Sequence, residues 1–353
     1  MRILTLPGDG IGPEITSATL DVLKAADTKF GLGLTYDTED IGFVSYDKYG
    51  TTLRPELLER ARGYDGILLG PISHMDYPPR DQGGVNISAA VRVKLDLYAN
   101  VRPARSRDFL DLGGKPMDLV IMREATEGFY PDRNMFKGTG EFMPTPDIAL
   151  SVRKITAHAC ERIARRAFEL AMRRRKKVTA IHKANNFILS DGLFLEQVRK
   201  VAAEFPEVTL NDVIVDAMAA HLVRDPSRFD VIVATNFYSD ILSDLASELS
   251  GGLGLAGSIN ANEKMVCAQA QHGSAPDIQG QNKANPTSLI LSAAMMLAWL
   301  GEQRGKDNFT KAAAAIDTAV DEVLKDKPHR TPDLGGSAGT DAFGRYVADA
   351  VKA

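Results

Sequence analysis

Short runs of consecutive apolar residues alternate along this chain with longer stretches in which apolar residues recur every three or four positions. Arg2–Leu6 is the first run and predicts a strand. The turn Gly8-Asp9-Gly10-Ile11-Gly12 follows, and Ile15 to Ala26 then has helical spacing. Pro13 stands near the start of that helix, where its missing N–H would be unpaired anyway. Gly66-Ile67-Leu68-Leu69-Gly70, Leu119–Met122, Val178–Ile181 and Val231–Ala234 are further short runs. Uninterrupted apolar runs suggest strands covered on both faces, hence a largely α/β architecture. Residues 131–150 break the pattern: Pro131, Gly138, Gly140, Pro144 and Pro146 predict an extended arm or loop excursion. Leu289 to Leu300 is the longest apolar stretch, about a dozen residues where a bilayer needs roughly 20, so it reads as a buried core helix. No internal repeat or low-complexity tract is evident.

Composition narrows the function classes. The 353 residues suggest two domains or one large compact unit. With 44% hydrophobic and 25% charged residues, disorder is excluded as the main state. A formal charge of −4 argues against a nucleic-acid partner. The basic run Arg173-Arg174-Arg175-Lys176-Lys177 reads instead as a solvated helix end complementing the dipole. Cys160 and Cys267 cannot make a disulfide framework and lack zinc-ligand spacing; they fit buried thiols in a reducing cytoplasm. The N-terminal apolar run breaks at Pro7, too short for a signal peptide, so neither targeting nor membrane insertion is expected.

Several constellations carry candidate chemistry. Gly252-Leu253-Gly254-Leu255-Ala256-Gly257 satisfies G-x-G-x-x-G, yet it follows the helix-like segment Ile241–Leu249 and opens no helix. It reads as a glycine-rich loop rather than a Rossmann turn. Asp240 and Asp244 lie four apart on a helix that starts just after a strand. Like charges at that spacing repel, which leaves either a solvated acidic face or oxygen ligands for Mg²⁺ or Mn²⁺, with Asp216 as a third candidate. Arg92, Arg102 and Arg123 would suit a substrate with two carboxylates if they converge, and surface ion pairs if they do not. Lys183 follows a strand, and Tyr130 ends the segment Arg123–Tyr130. The loop His272-Gly273-Ser274-Ala275-Pro276-Asp277-Ile278, with Asn285 beyond it, is either an ordinary surface loop or one that lets a ribose approach the backbone. In the second case Asp277 would accept from two ribose hydroxyls and repel a 2′-phosphate.

Together these stretches resemble the metal-dependent β-decarboxylating dehydrogenases, the family of isopropylmalate, isocitrate, homoisocitrate, tartrate and D-malate dehydrogenases. The matching segments are Leu6–Glu14, Leu95–Pro103, Arg123–Tyr130, His182–Asn185, Asp216, Asn236–Asp244, Gly251–Gly254, His272–Ile278 and Thr331–Gly336, which cover essentially the whole chain. The resemblance implies an α/β fold with two domains that is not a Rossmann fold. One domain would combine residues 1–99 and 251–353 and bind cofactor; the other, residues 100–250, would serve dimerisation, substrate and metal, with the arm clasping a second subunit. It implies a homodimer with shared active sites. Arg92, Arg102 and Arg123 would hold the malate carboxylates, with Asn86 and Ser88 near the substituent at C3. Asp240 and Asp244, with Asp216 from the partner, would bind Mg²⁺ or Mn²⁺. Lys183 from the partner would take the C2 hydroxyl proton, its own pKa lowered by like charge and burial, and Tyr130 would protonate carbon after CO₂ leaves. His272, Gly273, Ser274, Ala275, Pro276, Asp277, Ile278 and Asn285 would cradle NAD.

Some positions depart from the family pattern. Ser88 and Ala89 replace the leucines of isopropylmalate enzymes. Asn86 and Ser88 are the residue types of isocitrate enzymes in reversed order, and Ala89 stands where homoisocitrate enzymes have arginine. Ala125 and Ala217 replace asparagines, Gln269 a glutamate and Ser239 a glycine. The expected activity is therefore NAD-dependent oxidative decarboxylation of a 3-substituted (2R)-malate. A tartrate- or D-malate-type dehydrogenase and a catalytically weak regulatory homologue are the alternatives.

Overall fold

A computed structural model describes residues 1–110, 112 and 114–353. Its strands, in chain order, are β1 (Arg2–Leu6), β2 (Thr35–Thr38), β3 (Gly66–Leu69), β4 (Ala99–Arg105), β5 (Asp118–Glu124), β6 (Glu141–Thr145), β7 (Ile148–Ser151), β8 (Lys177–His182), β9 (Thr209–Ile214), β10 (Val231–Ala234), β11 (Ile259–Ala261) and β12 (Val266–Gln269). The chain divides into two compact units, Met1–Leu95 with Gly252–Ala353, and Asp96–Gly251. The sequence reading set the first break after residue 99. Asp96 and Tyr98 instead side with the second unit, where Arg162 donates to Asp96 Oδ2 at 2.8 Å and its guanidinium lies 4.1 Å from the Tyr98 ring centre.

In the first unit the strand order is β2-β1-β3-β12-β11, parallel except for the β11–β12 pair. The helix Thr287–Arg304 packs against β3 and β12 and is covered in turn by the helices Gly12–Phe30 and Asp307–Lys325. Cover on both sides explains why its sequence is apolar nearly all round. It is a core helix, and among the described residues no helix is long and apolar enough to cross a membrane.

In the second unit the order is β4-β5-β10-β8-β9, with β4 antiparallel to β5 and the rest parallel. Alternate residues face opposite layers. Val120, Met122, Val178, Ala180, Val231 and Val233 pack under the helices Ala157–Met172 and Ser190–Ala202. Leu119, Ile121, Ile181, Ile232 and Ala234 pack under Val215–Arg224 and Asn236–Leu249. Both faces are dry, so strand residues of either parity must be apolar.

Three sequence features resolve differently or more sharply. The basic run is no merely solvated helix end: Arg174 Nε and the Arg175 backbone N–H each donate at 2.8 Å to Asp230, whose side chain is fully buried. Those contacts pair and hydrogen-bond a buried carboxylate that would be costly to leave without partners. The segment 131–150 holds a short turn, Pro131–Arg133, and an exposed hairpin, β6–β7, that presents Phe142, Met143, Ile148 and Leu150 to solvent. Gly252–Gly257 follows the helix Asn236–Leu249 and forms a short 3-10 turn, with no strand before it and no α-helix opening from it.

Candidate active site

The parallel strands of the second unit end in register: Ala234 of β10 lies opposite Arg123 of β5 and Ile181 of β8, and His182 of β8 lies opposite Ile214 of β9. Whatever follows each strand therefore emerges at one sheet edge, the carboxyl edge where open α/β sheets carry ligands. Arg123, the helix Asn236–Leu249, Lys183 and Asp216 all stand there.

The helix Asn236–Leu249 organises the first cluster. Asn236, buried in its first turn, accepts from Arg123 Nε at 2.8 Å and donates to the Glu127 carbonyl at 2.7 Å. One turn on, Asp240 accepts from Arg123 Nη1 on one oxygen and from the Tyr130 hydroxyl on the other. Arg102 Nη1 donates to Ser243 Oγ at 2.7 Å and lies 3.3 Å from Asp240 and 3.2 Å from Asp244. Its Nε donates to Asn100 Oδ1 at 2.7 Å. Arg102, Arg123, Tyr130, Asp240 and Asp244 are thus brought together, with two guanidinium groups almost wholly buried. Asn100, Asn236 and Ser243, which aim the arginines, lie inside the matching segments Leu95–Pro103 and Asn236–Asp244 but received no role of their own from the sequence.

The ionisation of this cluster follows from its burial. Desolvation, reinforced by the Arg123 charge, pulls Arg102 down to about 10 against the pull of Asp240 and Asp244, so it stays cationic at neutral pH. Burial and the bond to Asp240 push Tyr130 up to about 12 despite Arg123, so its proton stays on. Asp244 is held above the usual carboxylate range by burial and the Asp240 charge, opposed by Arg102. Asp240 and Asp244 offer hard oxygen donors one helical turn apart, a chemistry that fits Mg²⁺ or Mn²⁺. Among the described residues no group of three or more potential metal ligands assembles within the chain.

Asp216 belongs to a second cluster, at the ends of β8 and β9. Lys183 Nζ pairs with Asp216 Oδ1 at 2.7 Å, and this bond depresses the Asp216 pKa. Within one chain Lys183 therefore meets an opposite charge; the resemblance placed it beside the arginines of a second copy of the chain. Its backbone N–H donates to Asp191 at 2.5 Å. Asp191, fully buried, also pairs with Arg153 and accepts from the Tyr238 hydroxyl at 3.1 Å. Nothing in the sequence marked Asp191; a lone aspartate near a helix start looks like any other.

Arg92, Asn86 and Ser88 lie in the first unit. Asn86 Oδ1 caps the helix Ile87–Lys94 by accepting from the Ala89 N–H at 3.1 Å. Ser88 and Arg92, four apart on that helix, both contact Gln269 at the end of β12: Gln269 Nε2 donates to Ser88 Oγ at 2.6 Å, and Arg92 Nη2 donates to Gln269 Oε1 at 3.4 Å.

The same unit holds a cavity of about 260 Å³. His272, Gly273, Ala275, Ile278 and Asn285 line it, together with Ile11, Gly254, Lys283, Ala284 and Asp333, which the sequence reading did not assign. Gly10 adopts φ +56°, and a Cβ there would sit 2.0 Å from the Ser274 carbonyl, which accepts from the Ile11 N–H at 2.9 Å. Ser274 is buried against Ser73 at 2.6 Å, while Pro276 and Asp277 form an exposed turn. His272 Nδ1 donates to the Gly273 carbonyl at 2.9 Å, which leaves Nε2 an acceptor, buried and without a partner among the described residues. Burial lowers the His272 pKa, so the ring is neutral. Asn285 donates to Asp333 at 3.0 Å. A glycine-tight wall and an orphaned ring nitrogen fit the nucleoside end of a dinucleotide.

Comparison with known proteins gives a consistent set of relatives. The isocitrate/isopropylmalate dehydrogenase family model matches residues 2–347. Isocitrate/homoisocitrate dehydrogenase of Thermus thermophilus is 44% identical over 354 residues, covering 99% of this chain and 98% of the relative. 3-Isopropylmalate dehydrogenase of Archaeoglobus fulgidus is 40% identical over 348 residues, covering 98% of each. The crystal structure of isocitrate dehydrogenase from Methylococcus capsulatus aligns over 100% of this chain and 99% of that one, with TM-score 0.87 and 38% identity.

Proposed function

Because the chain belongs to the isocitrate/isopropylmalate dehydrogenase family, and so to the oxidoreductases, we propose that it oxidises a 3-substituted (2R)-malate at C2 with NAD and releases the C3 carboxylate as CO₂. When bound, NAD and Mg²⁺ or Mn²⁺ supply a hydride acceptor and a Lewis acid. The observation that carries the reading is the buried pair Arg102 and Arg123, fixed by Asn100, Asn236 and Ser243 beside Asp240, Asp244 and Tyr130.

Each residue then has a task. Arg102 and Arg123, with Arg92, hold the malate carboxylates; the buried guanidinium groups recognise them through paired N–H donors. Asp240 and Asp244 hold the cation, with Asp216 supplied by a second copy of the chain. Lys183 of that copy, released from Asp216 when that carboxylate turns to the cation and then holding an unprotonated amine, takes the C2 hydroxyl proton. When the bond from C3 to the departing carboxylate breaks, its electrons remain on the substrate as an enolate. Tyr130, whose proton burial holds on at neutral pH, delivers it to C3. The loop from His272 to Ile278 and Asn285 receive the adenosine portion of NAD, and Asp277, exposed on its turn, takes the ribose hydroxyls.

A homodimer with shared sites is supported by two features of the second unit. Lys183 and Asp216 neutralise each other in one chain at strands β8 and β9, while the arginines and the other aspartates cluster at β4, β5 and β10. The hairpin β6–β7 offers an apolar exposed surface of the kind a partner covers.

The test is NADH formation with Mn²⁺ over D-malate, the tartrates, isocitrate, homoisocitrate and alkylmalates, with CO₂ measured in parallel. Equal amounts of NADH and CO₂ from a 3-substituted malate are expected. NADH without CO₂, or no NADH from any of these acids, contradicts the reading.

A further inference from the structure

We infer that His182 is a positioning residue for Lys183: its ring closes the turn that aims the lysine from the end of β8, and the Nδ1 side of the ring alone does so. This rests on the function proposed above, in which Lys183 takes the C2 hydroxyl proton.

The tautomer of His182 follows from its partners. The Ala184 backbone N–H can only donate, and it lies 3.0 Å from His182 Nδ1, so Nδ1 is a bare acceptor. The ring is then neutral and carries its proton on Nε2, which donates to Asp212 Oδ2 at 3.2 Å. Asp212, on β9, accepts from Arg199 on its other oxygen at 3.4 Å. His182 itself is buried, so these partners rather than water occupy its two nitrogens.

The bond to Ala184 has the form of an Asx turn, in which a short polar side chain accepts from the backbone N–H two residues on and bends the chain. Here Nδ1 takes the place of the side-chain oxygen, and the bend falls on Lys183. The peptide group joining Lys183 to Ala184 is held at both ends: its N–H by His182, and its carbonyl by the Asn186 and Phe187 N–H groups, each at 2.9 Å. The N–H of Lys183 itself is held by Asp191 at 2.5 Å. Residues 185–189 are exposed in the single chain, so hydrogen bonds more than core packing set the direction of the Lys183 side chain. Without the His182 acceptor the peptide group is gripped at its carbonyl end only. The lysine keeps its chemistry but loses its aim, and a displacement of about 1 Å at a reacting group costs up to about a hundredfold in rate.

The two ring nitrogens can be removed separately. The asparagine amide oxygen can stand where Nδ1 stands, so His182→Asn keeps the turn and drops the Asp212 bond. The longer glutamine amide reaches the place of Nε2, so His182→Gln keeps the Asp212 bond and opens the turn. Both variants, the wild type and Lys183→Met are assayed with Mn²⁺ and NAD on whichever of the acids named above the wild type turns over fastest, each checked for folding by circular dichroism. His182→Asn should keep kcat within about threefold, the scale of one weak hydrogen bond. His182→Gln should lower kcat by about tenfold or more, with KM for the acid and for NAD little changed, because the binding groups are untouched. Should His182→Gln not fold, His182→Ala takes its place with the same expectation. Equal kcat in the two variants, a higher kcat for His182→Gln, or a fall carried by KM alone overturns the inference, while the proposed function stands as long as Lys183→Met is inactive. A wild type that turns over none of the acids, or near-normal turnover by Lys183→Met, fails the proposed function itself, and the inference with it.

Discussion

Replacing Asp191 by alanine tests whether the buried network behind Lys183 is what holds that strand end in place. The Asp191 and Arg153 side chains are 1% and 7% exposed and ion-paired. Arg153 is further enclosed by the rings of Phe129, Phe187 and Tyr238, whose centres lie 5.2, 5.5 and 5.0 Å from its guanidinium carbon. Removing the carboxylate strands a cation in that cage and orphans the Lys183 N–H. A broken buried pair of this kind costs about 3–5 kcal/mol. Asp191→Asn keeps the shape and one acceptor, so its cost should be smaller, about 1–3 kcal/mol. Both are large against a total stability of roughly 5–15 kcal/mol. Urea unfolding followed by far-ultraviolet circular dichroism is the suitable assay, because the single tryptophan, Trp299, lies in the other unit. The midpoint should fall with the slope unchanged, further for alanine than for asparagine. A loss below about 1 kcal/mol for alanine, or no difference between the two variants, would refute the assignment of a charged, desolvated anchor.

Other consequences follow from the same structure. Asp244→Asn should weaken Mn²⁺ binding by about tenfold or more in calorimetric titration, because it removes one charged oxygen ligand; unchanged affinity would remove Asp244 from the metal site. His272 is buried neutral with a lowered pKa, so below about pH 6.5 the unfolded chain takes up a proton that the folded one does not. Wild-type stability should accordingly fall relative to His272→Gln as pH drops through that value and down to the folded pKa. A melting-temperature difference that ignores pH would contradict this. Gly10→Ala places a Cβ 2.0 Å from the Ser274 carbonyl at a φ of +56°, so it should cost at least about 1–3 kcal/mol and raise KM for NAD. Wild-type melting temperature and KM in that variant would show that the turn tolerates displacement.

How much was legible from the chain depended on what each residue's neighbours demand. Gly66–Leu69 and Val231–Ala234 announced themselves because strands buried on both faces must be apolar throughout. The edge strands β2 and β9 escaped notice, since Thr35–Thr38 and Thr209–Ile214 are mostly exposed or half-exposed and read as polar loops. Arg174 and Arg175 looked solvated because their partner, Asp230, is over fifty positions away. Spacing placed Asp240 and Asp244 on one helix face, but only the fold shows Arg102 reaching both and Tyr130 reaching the first. Asn86 carried a substrate expectation, and the fold also gives it a local task as helix cap. Gln269 stood out only as a departure from family pattern; its contacts to Ser88 and Arg92 span 181 and 177 positions.

Hybrid dimers test most directly whether one chain's Arg123 works with another chain's Lys183. Arg123→Met and Lys183→Met carry differently tagged copies, each inactive as a homodimer, and the mixed dimer is isolated through both tags after co-expression. One of its two sites would then combine an intact Arg123 with an intact Lys183, so about half of wild-type activity per dimer should return. A mixed dimer as inactive as its parents would show that each site draws both residues from one chain, and the account would fail.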